Sequence, residues 1–348
     1  MSSVTRTDTE APAQAADVPA ATEGRRAPHR GSTIAGVRKE WVLKYSTLVV
    51  LVLMFTGFAL FVDRFLTPFN LANILQQIAI LGIVGAGLTF GFAAKEIDLS
   101  VGYTVGLAGV LMPLLLVQGL SLPLAMAGVL LAGLVVGLVN GLLVTLVGIP
   151  SLIATLATGS ILFGMNFVLT DGRAIYGGLP DMYLRLGQGA AWGVPYLAFF
   201  MLGSVALAWF VLERTVFGRR VYAVGGNRKA AELSGVRVVF HRTAALVIVA
   251  LFASVAGALL SARLGSGQPN VGERYLLDGL ATVFIGMTVF RPGVATVMGT
   301  FFGALFIGVI NNGLNLVGMD TFVQNIMKGV IILVAVAIVS RTTKIELM

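Results

Sequence analysis

Cysteine is absent from the chain, which removes disulfides, thiolate chemistry and iron–sulfur clusters from consideration. Charge is scarce as well. Asp, Glu, Lys and Arg make up 11% of the 348 residues, against 57% hydrophobic residues and a mean hydropathy of +0.92. A soluble chain has about a quarter of its residues charged, so the composition is that of a polytopic membrane protein. Histidine is limited to His29 and His241. Both lie in polar segments away from other ligand-type residues and read as solvated surface groups, so no metal site is expected. No GxxxxGK[ST] pattern occurs, so the chain does not bind ATP through a P-loop. HExxH and GxSxG are missing too, which leaves no familiar hydrolase motif. The net charge of +8 falls in loops between apolar runs, and membrane topology explains it better than nucleic acid does.

Apolar runs are what the chain has in quantity. Ten approach the ~20 residues that cross a bilayer as a helix. They cover 45–62, 74–93, 99–117, 122–147, 151–169, 196–212, 243–264, 276–290, 294–316 and 322–340. The third and eighth are short or broken by glycine and polar residues. That predicts spans sheltered inside the protein, since lipid cannot satisfy irregular backbone. The 43 glycines suit close helix–helix contact in lipid. Residues 1–40 lack apolar periodicity and read as a disordered cytoplasmic tail, without the apolar core of a signal peptide. Residues 41–348 then form the membrane domain. With both ends inside, 18 Lys and Arg face the cytoplasm, five (Arg64, Arg173, Arg185, Arg263, Arg274) lie outside and Lys328 sits in the last run. Such a bias sets orientation. The expected fold is all-α, with about ten transmembrane helices, N-in and C-in.

One polar island interrupts this pattern. The loop 213–242 has at its centre Gly225–Val238, GGNRKAAELSGVRV. Asn227 is a good N-cap residue. Arg228–Ser234 follows as two amphipathic turns carrying Ala230, Ala231 and Leu233, and Gly235 is a helix stop. Arg214, Arg219, Arg220, Arg228, Lys229, Arg237 and Arg242 surround it. Two readings stand side by side: a docking helix for a soluble cytoplasmic partner, and an interfacial helix lying on lipid headgroups.

Two stretches resemble each other. Gly137–Gly148, GLVNGLLVTLVG, and Gly308–Gly318, GVINNGLNLVG, both carry Asn, then Gly, then an apolar run closing at Val-Gly. They end the fourth and ninth runs. An offset of five spans reverses the crossing sense, the pattern of an inverted-topology repeat; chance similarity of Gly-rich apolar segments is the alternative. The same offset pairs Asp98 with Asp278. Polar groups at span ends are functional candidates, and here they are Lys95, Glu96, Asp98, Ser100, Gln268, Glu273, Asp278 and Lys328. Adjacent Lys95 and Glu96 read as a solvated loop pair rather than a proton relay. Lys328, the deepest, either reaches the outer interface or pairs with a carboxylate in the bundle. Asn140, Asn311, Asn312 and Asn315 either line a path for a hydroxyl-rich solute or serve as interhelical hydrogen-bond glue, with glue favoured.

Four blocks carry a family likeness. Glu96–Gly102, EIDLSVG, resembles the IDLSVG motif of bacterial ABC sugar-importer permeases, the ribose, xylose, arabinose and autoinducer-2 class. The central VYAVGGNRKAAELSGV is similar to that family's ALGGNxxAAxLSGI, and Ser266–Asp278, SGQPNVGERYLLD, to its SAQPxxGxxYELD. Gly299–Gly318, GTFFGALFIGVINNGLNLVG, resembles its GTxxGALxxGxxNNGLNLxG. The likeness runs from about 69 to 339 with the blocks in order. Two departures stand out: Lys95 and Glu96 replace the usual Gly-Gly, and Gly286–Gly293, GMTVFRPG, replaces a Gly-rich GGTSLxGGxG run.

The resemblance implies a permease subunit in the bacterial inner membrane, itself no enzyme, embedded in lipid and paired with a second permease copy. No cofactor belongs to this chain. ATP and magnesium would be bound by a cytoplasmic ATPase subunit docking on Gly225, Gly226, Asn227, Arg228, Ala230, Ala231, Leu233, Ser234 and Gly235. An extracytoplasmic solute-binding protein would deliver a monosaccharide-like ligand and meet Gln268, Glu273 and Arg274. The path or gate would draw on Asp98, Ser100, Asn140, Asp278, Asn311, Asn312 and Asn315. An ion-coupled secondary transporter is the alternative. That class usually needs a coupling carboxylate or ion site deep in the membrane, and none is obvious in the sequence. A membrane enzyme is disfavoured, because no catalytic cluster converges.

Overall fold

The structure, a computed structural model, describes the backbone of residues 34–342 and the side chains of 47–334. The tail expected over 1–40 lies outside the described residues as far as residue 33, and His29 with it. The helices described from residue 40 onward belong to one compact unit.

Helix α1 covers Ile34–Phe61 and α2 Pro68–Ala93. Thr67 caps α2 by accepting a bond from the Asn70 N–H, and Pro68 follows where a missing donor costs nothing. A seven-residue break, Ala94–Ser100, separates α2 from α3, Val101–Val117. Helix α4, Leu122–Leu142, runs on through a π-helical turn, Leu143–Val147, and ends at Gly148 with φ +84°. Then come α5 (Ser151–Thr170), β1 (Ile175–Tyr176), α6 (Asp181–Gln188), β2 (Ala190–Ala191) and β3 (Val194–Pro195). The β2–β3 hairpin turns at Trp192 and Gly193, both at positive φ, as a type I′ turn requires. Helix α7, Tyr196–Trp209, ends in a second π-helical turn, Phe210–Arg214. The polar loop folds as α8 (Val216–Gly226) and α9 (Arg228–Leu233), and the seventh expected run begins early, as α10 (Val238–Leu264). Strand β4 (Ser266–Gly267) pairs antiparallel with β1, placing Ile175 opposite Gly267. Helices α11 (Glu273–Gly286), α12 (Val297–Leu316) and α13 (Thr321–Thr342) complete the fold.

Among the described residues, six stretches are long and apolar enough to cross a membrane: Pro68–Ala93, Leu122–Val147, Ser151–Thr170, Tyr196–Arg214, Val238–Leu264 and Val297–Leu316. Thr47–Phe61, Val101–Val117 and Thr321–Val334 are shorter apolar helices. The chain is a multi-pass membrane protein. The run 276–290 is not one continuous helix: α11 stops at Gly286, and Arg291, Pro292 and Gly293 (φ +81°) turn the chain before α12.

Helix α10 lies at the centre, against α2, α3 and α4. In the apolar windows of α12, α2 and α10, 72%, 67% and 61% is buried, against 28% for α4, so the first three form the inner layer. Glycine permits the closest approaches. A Cβ on Gly257 of α10 would sit 2.2 Å from the Val105 carbonyl oxygen, and one on Gly303 of α12 would sit 2.0 Å from that of Thr282. Backbones that touch in this way gain dispersion contact where lipid offers no hydrophobic drive. The outward faces of α4 and α5 stay apolar, with Leu131 and Val168 exposed, as a lipid-facing surface must.

Candidate functional site

The polar loop forms a lobe with a capped helix at its tip. Asn227 leaves helical geometry (φ −151°) and its Oδ1 accepts the Ala230 N–H at 3.0 Å. At the other end Gly235 sits at φ +78°, while its N–H reaches Glu232 O and that of Val236 reaches Ala231 O. Capping at both ends lets a six-residue helix hold its shape. Arg228, Lys229, Ala230, Leu233 and Ser234 are exposed, and Leu233 is 81% exposed. Ala231 is buried, so its side chain packs within the chain and offers no surface to a partner. Gly226 is open, whereas a Cβ on Gly225 would lie 2.0 Å from the Ala93 carbonyl oxygen, at the end of α2. The lobe therefore rests directly on the α2–α3 break. On its other side Tyr222 donates to the Ala295 carbonyl at 2.8 Å. Burial raises the Tyr222 pKa, nearby Glu213 raises it further and Arg291 opposes them.

Within the break, Lys95 takes φ +57° and stays exposed. Glu96 does not share its exposure, and the solvated pair expected from sequence is overturned. The Glu96 side chain is 2% exposed, and its Oε1 accepts from Arg228 Nη2 at 2.8 Å and Arg242 Nε at 2.5 Å. Arg228 opens α9 and Arg242 lies near the start of α10, 132 and 146 residues away. Helix α5 satisfies the backbone of the break: the Ser151 hydroxyl accepts from Ile97 N and that of Thr155 from Leu99 N.

Asp98 closes an Asx-type turn. Its Oδ1 accepts from the Ser100 N–H at 2.7 Å and the Ser100 hydroxyl at 2.6 Å. Asn140 of α4 donates to Ser100 Oγ at 2.8 Å. Asp98 Oδ2 and Asn140 Oδ1 are buried without a partner among the described residues. The break lies outside the spanning helices, and there burial pushes the Asp98 carboxyl up to about 6 against the opposing pull of the Ser100 bonds.

A second cluster surrounds Asp278 of α11. Lys328 of α13 reaches its Oδ1 at 2.9 Å and its Oδ2 at 3.2 Å. Asn311 of α12 donates to Oδ2 at 3.1 Å, and its own Oδ1 has no partner among the described residues. Of the two expectations for Lys328, pairing inside the bundle holds. Asn312 exchanges two amide bonds with Asn70 of α2, at 2.8 and 2.9 Å. Asn315, exposed, accepts from Gln324. Asn70, Asn312 and Asn315 each bond a neighbouring helix through the side chain, while Asn311 and Asn140 each keep one buried oxygen without a partner among the described residues.

On the β1–β4 side, Glu273 and Arg274 are exposed at the start of α11, and Gln268 donates to Ser266 Oγ. His241 is not a surface group: it is 3% exposed, stacks on Phe217 with centroids 5.5 Å apart, and Nδ1 lies 2.7 Å from the Arg237 carbonyl. The sequence reading missed Asn70, Gln324 and Tyr183. The Tyr183 hydroxyl bonds to Ala258 O and Ser261 Oγ, and burial raises its pKa. No local pattern marks these residues, because their partners are distant in sequence or defined only by helix packing.

The family described as branched-chain amino acid transport system / permease component matches residues 70–336. The ribose import permease protein RbsC of Bacillus subtilis (strain 168) is 41% identical over 273 residues, covering 78% of this chain and 85% of its own. That of Escherichia coli (strain K12) is 35% identical over 312 residues, covering 88% and 97%. The D-allose transport system permease protein AlsC of E. coli (strain K12) is 34% identical over 297 residues, covering 85% and 91%. No solved structure matches the chain.

Proposed function

For a chain that belongs to the branched-chain amino acid transport system / permease component family, we propose the role of transmembrane subunit in an ATP-driven importer of a monosaccharide-like solute. The relatives named for ribose and allose support the solute class. One structural observation carries the mechanism: α9 is capped at both ends, exposed on most sides and tied by Arg228 to Glu96 of the break between α2 and α3, where Gly225 of α8 packs on the end of α2. A partner ATPase, holding ATP and magnesium, docks on this helix, with Ala230 and Leu233 offering side-chain contact and Ala231 and Gly225 seating it. An extracytoplasmic binding protein docks near Glu273 and Arg274, and two permease copies enclose the path in the inner membrane.

The chain crosses ten times with both termini inside, in two inverted halves. Two features support the repeat. Both Val-Gly endings put glycine at positive φ, Gly148 at +84° and Gly318 at +77°. Each half also joins an aspartate to an asparagine of a later helix: Asp98 through Ser100 to Asn140, and Asp278 directly to Asn311.

Reconstitution tests this reading. Proteoliposomes holding the permease, its ATPase and its binding protein should take up labelled ribose or a related sugar only with ATP on the side that carries the ATPase. Uptake driven by an ion gradient without the ATPase would replace this proposal with a secondary transporter.

A further inference from the structure

Glu96 lies where two parts of the chain meet and has the only charged side chain of the break that is both buried and ion-paired among the described residues. Its two cations are unequal. Arg242 belongs to α10, the central helix, and is 15% exposed; Arg228 opens α9 and is 49% exposed. Both meet the same carboxylate oxygen. A buried carboxylate with no cation is very costly, whereas one that keeps a cation when a second leaves is not. Arg242 therefore serves as the fixed partner, and Arg228 as the one that can leave with its helix.

The break is held tightly on its far side. Glu96 N–H bonds back to Gly91 O at 2.8 Å, the next residues hang on Ser151 and Thr155 of α5, and the Asp98–Ser100 turn reaches Asn140 of α4. A displacement of α9 thus has a continuous polar route to α4 and α5, with Glu96 as its first member.

We propose that Glu96 is a positioning residue that ties α9 to the α2–α3 break, so that motion imposed on α9 reaches the start of α3. The link is ionic on the α9 side and hydrogen-bonded on the α4 and α5 side. This rests on the reading of α9 as the ATPase-docking helix. With its side chain 2% exposed, Glu96 acts through Arg228 and the backbone of the break.

The test uses the complete transporter in proteoliposomes. Glu96→Gln keeps size and one acceptor but removes the charge. It should accumulate and co-purify with the ATPase at the wild-type ratio and keep basal ATP hydrolysis. Solute-stimulated hydrolysis and uptake should both fall about tenfold, within the range of ordinary coupling between sites. Glu96→Asp, which keeps the charge, should recover most of the loss. Arg228→Gln should lower uptake to a similar degree, and the double variant should be no worse than either single, as members of one interaction behave. Full stimulated uptake in Glu96→Gln, or losses that multiply in the double variant, would overturn the proposal. Should Glu96→Gln not accumulate, Arg228→Gln decides, because it leaves Glu96 paired with Arg242: ATPase co-purification at the wild-type ratio with lowered uptake would support the tie, whereas undiminished uptake, or uptake lost together with co-purification, would refute it. Failure of the wild-type complex to import with ATP would instead count against the permease reading, leaving the two outcomes distinct.

Discussion

Asp98 and Asp278 are both buried carboxylates at interruptions of the apolar pattern, yet they are accommodated in different ways. Asp98 is served from two residues along the chain, by the Ser100 N–H and hydroxyl, and no cation among the described residues pairs with it. Asp278 is served from afar, by Lys328 fifty residues on and by Asn311. A local turn supplies hydrogen bonds to a carboxylate at almost no additional cost in order, but it leaves the burial penalty in place, and the Asp98 carboxyl is pushed up to about 6. A lysine offsets that penalty only if three helices hold their positions. The first arrangement is robust to helix movement and the second is broken by it.

The largest effect expected of this contrast is at Lys328. Lys328→Gln strands a carboxylate in a cluster where both side chains are less than a tenth exposed. Breaking such a pair costs about 3–5 kcal/mol, so the detergent-extracted yield of folded permease should collapse. Adding Asp278→Asn should restore it. Normal yield from Lys328→Gln alone would show that the pair is not structural.

Ala231→Trp should come next. It adds bulk at a buried site of α9 and should cost about 1–3 kcal/mol, lowering permease abundance. Ala230→Trp on the exposed side should leave abundance intact and abolish ATPase co-purification. Equal behaviour of the two variants would contradict the orientation of α9.

At Asp98 the expected effects are smaller and depend on the replacement. Asp98→Asn keeps an acceptor for Ser100 and should unfold at nearly the wild-type temperature. Asp98→Ala strands both Ser100 donors and should cost about 1–3 kcal/mol, read as a lowered midpoint in a thermal melt. If Asp98→Asn proves as damaging as Asp98→Ala, the charge itself matters and the contrast with Asp278 narrows.

Charge reversal at Glu273 or Arg274 should have the least effect on the fold, because both are exposed. Uptake should fall when binding protein is limiting and recover when it is saturating, since rim charges act mainly on encounter. Unchanged uptake at limiting binding protein would remove these residues from the docking surface.

Much was legible in the residues alone. Membrane class follows from hydropathy, because burying backbone in lipid demands long apolar helices whatever their arrangement. The ends of α9 follow from Asn227 and Gly235, because capping depends on atoms within four residues. Tertiary structure alone decided the fate of side chains whose partners are remote. Glu96 beside Lys95 looks like an exposed pair until the loop folds back with Arg228 and Arg242. His241 in a basic stretch looks solvated until Phe217 of α8 covers it. Asn70 and Asn312 satisfy one another across 242 residues. The physical reason is range: helix formation and capping are set by neighbours along the chain, whereas burial of a polar group is set by which helix arrives opposite it.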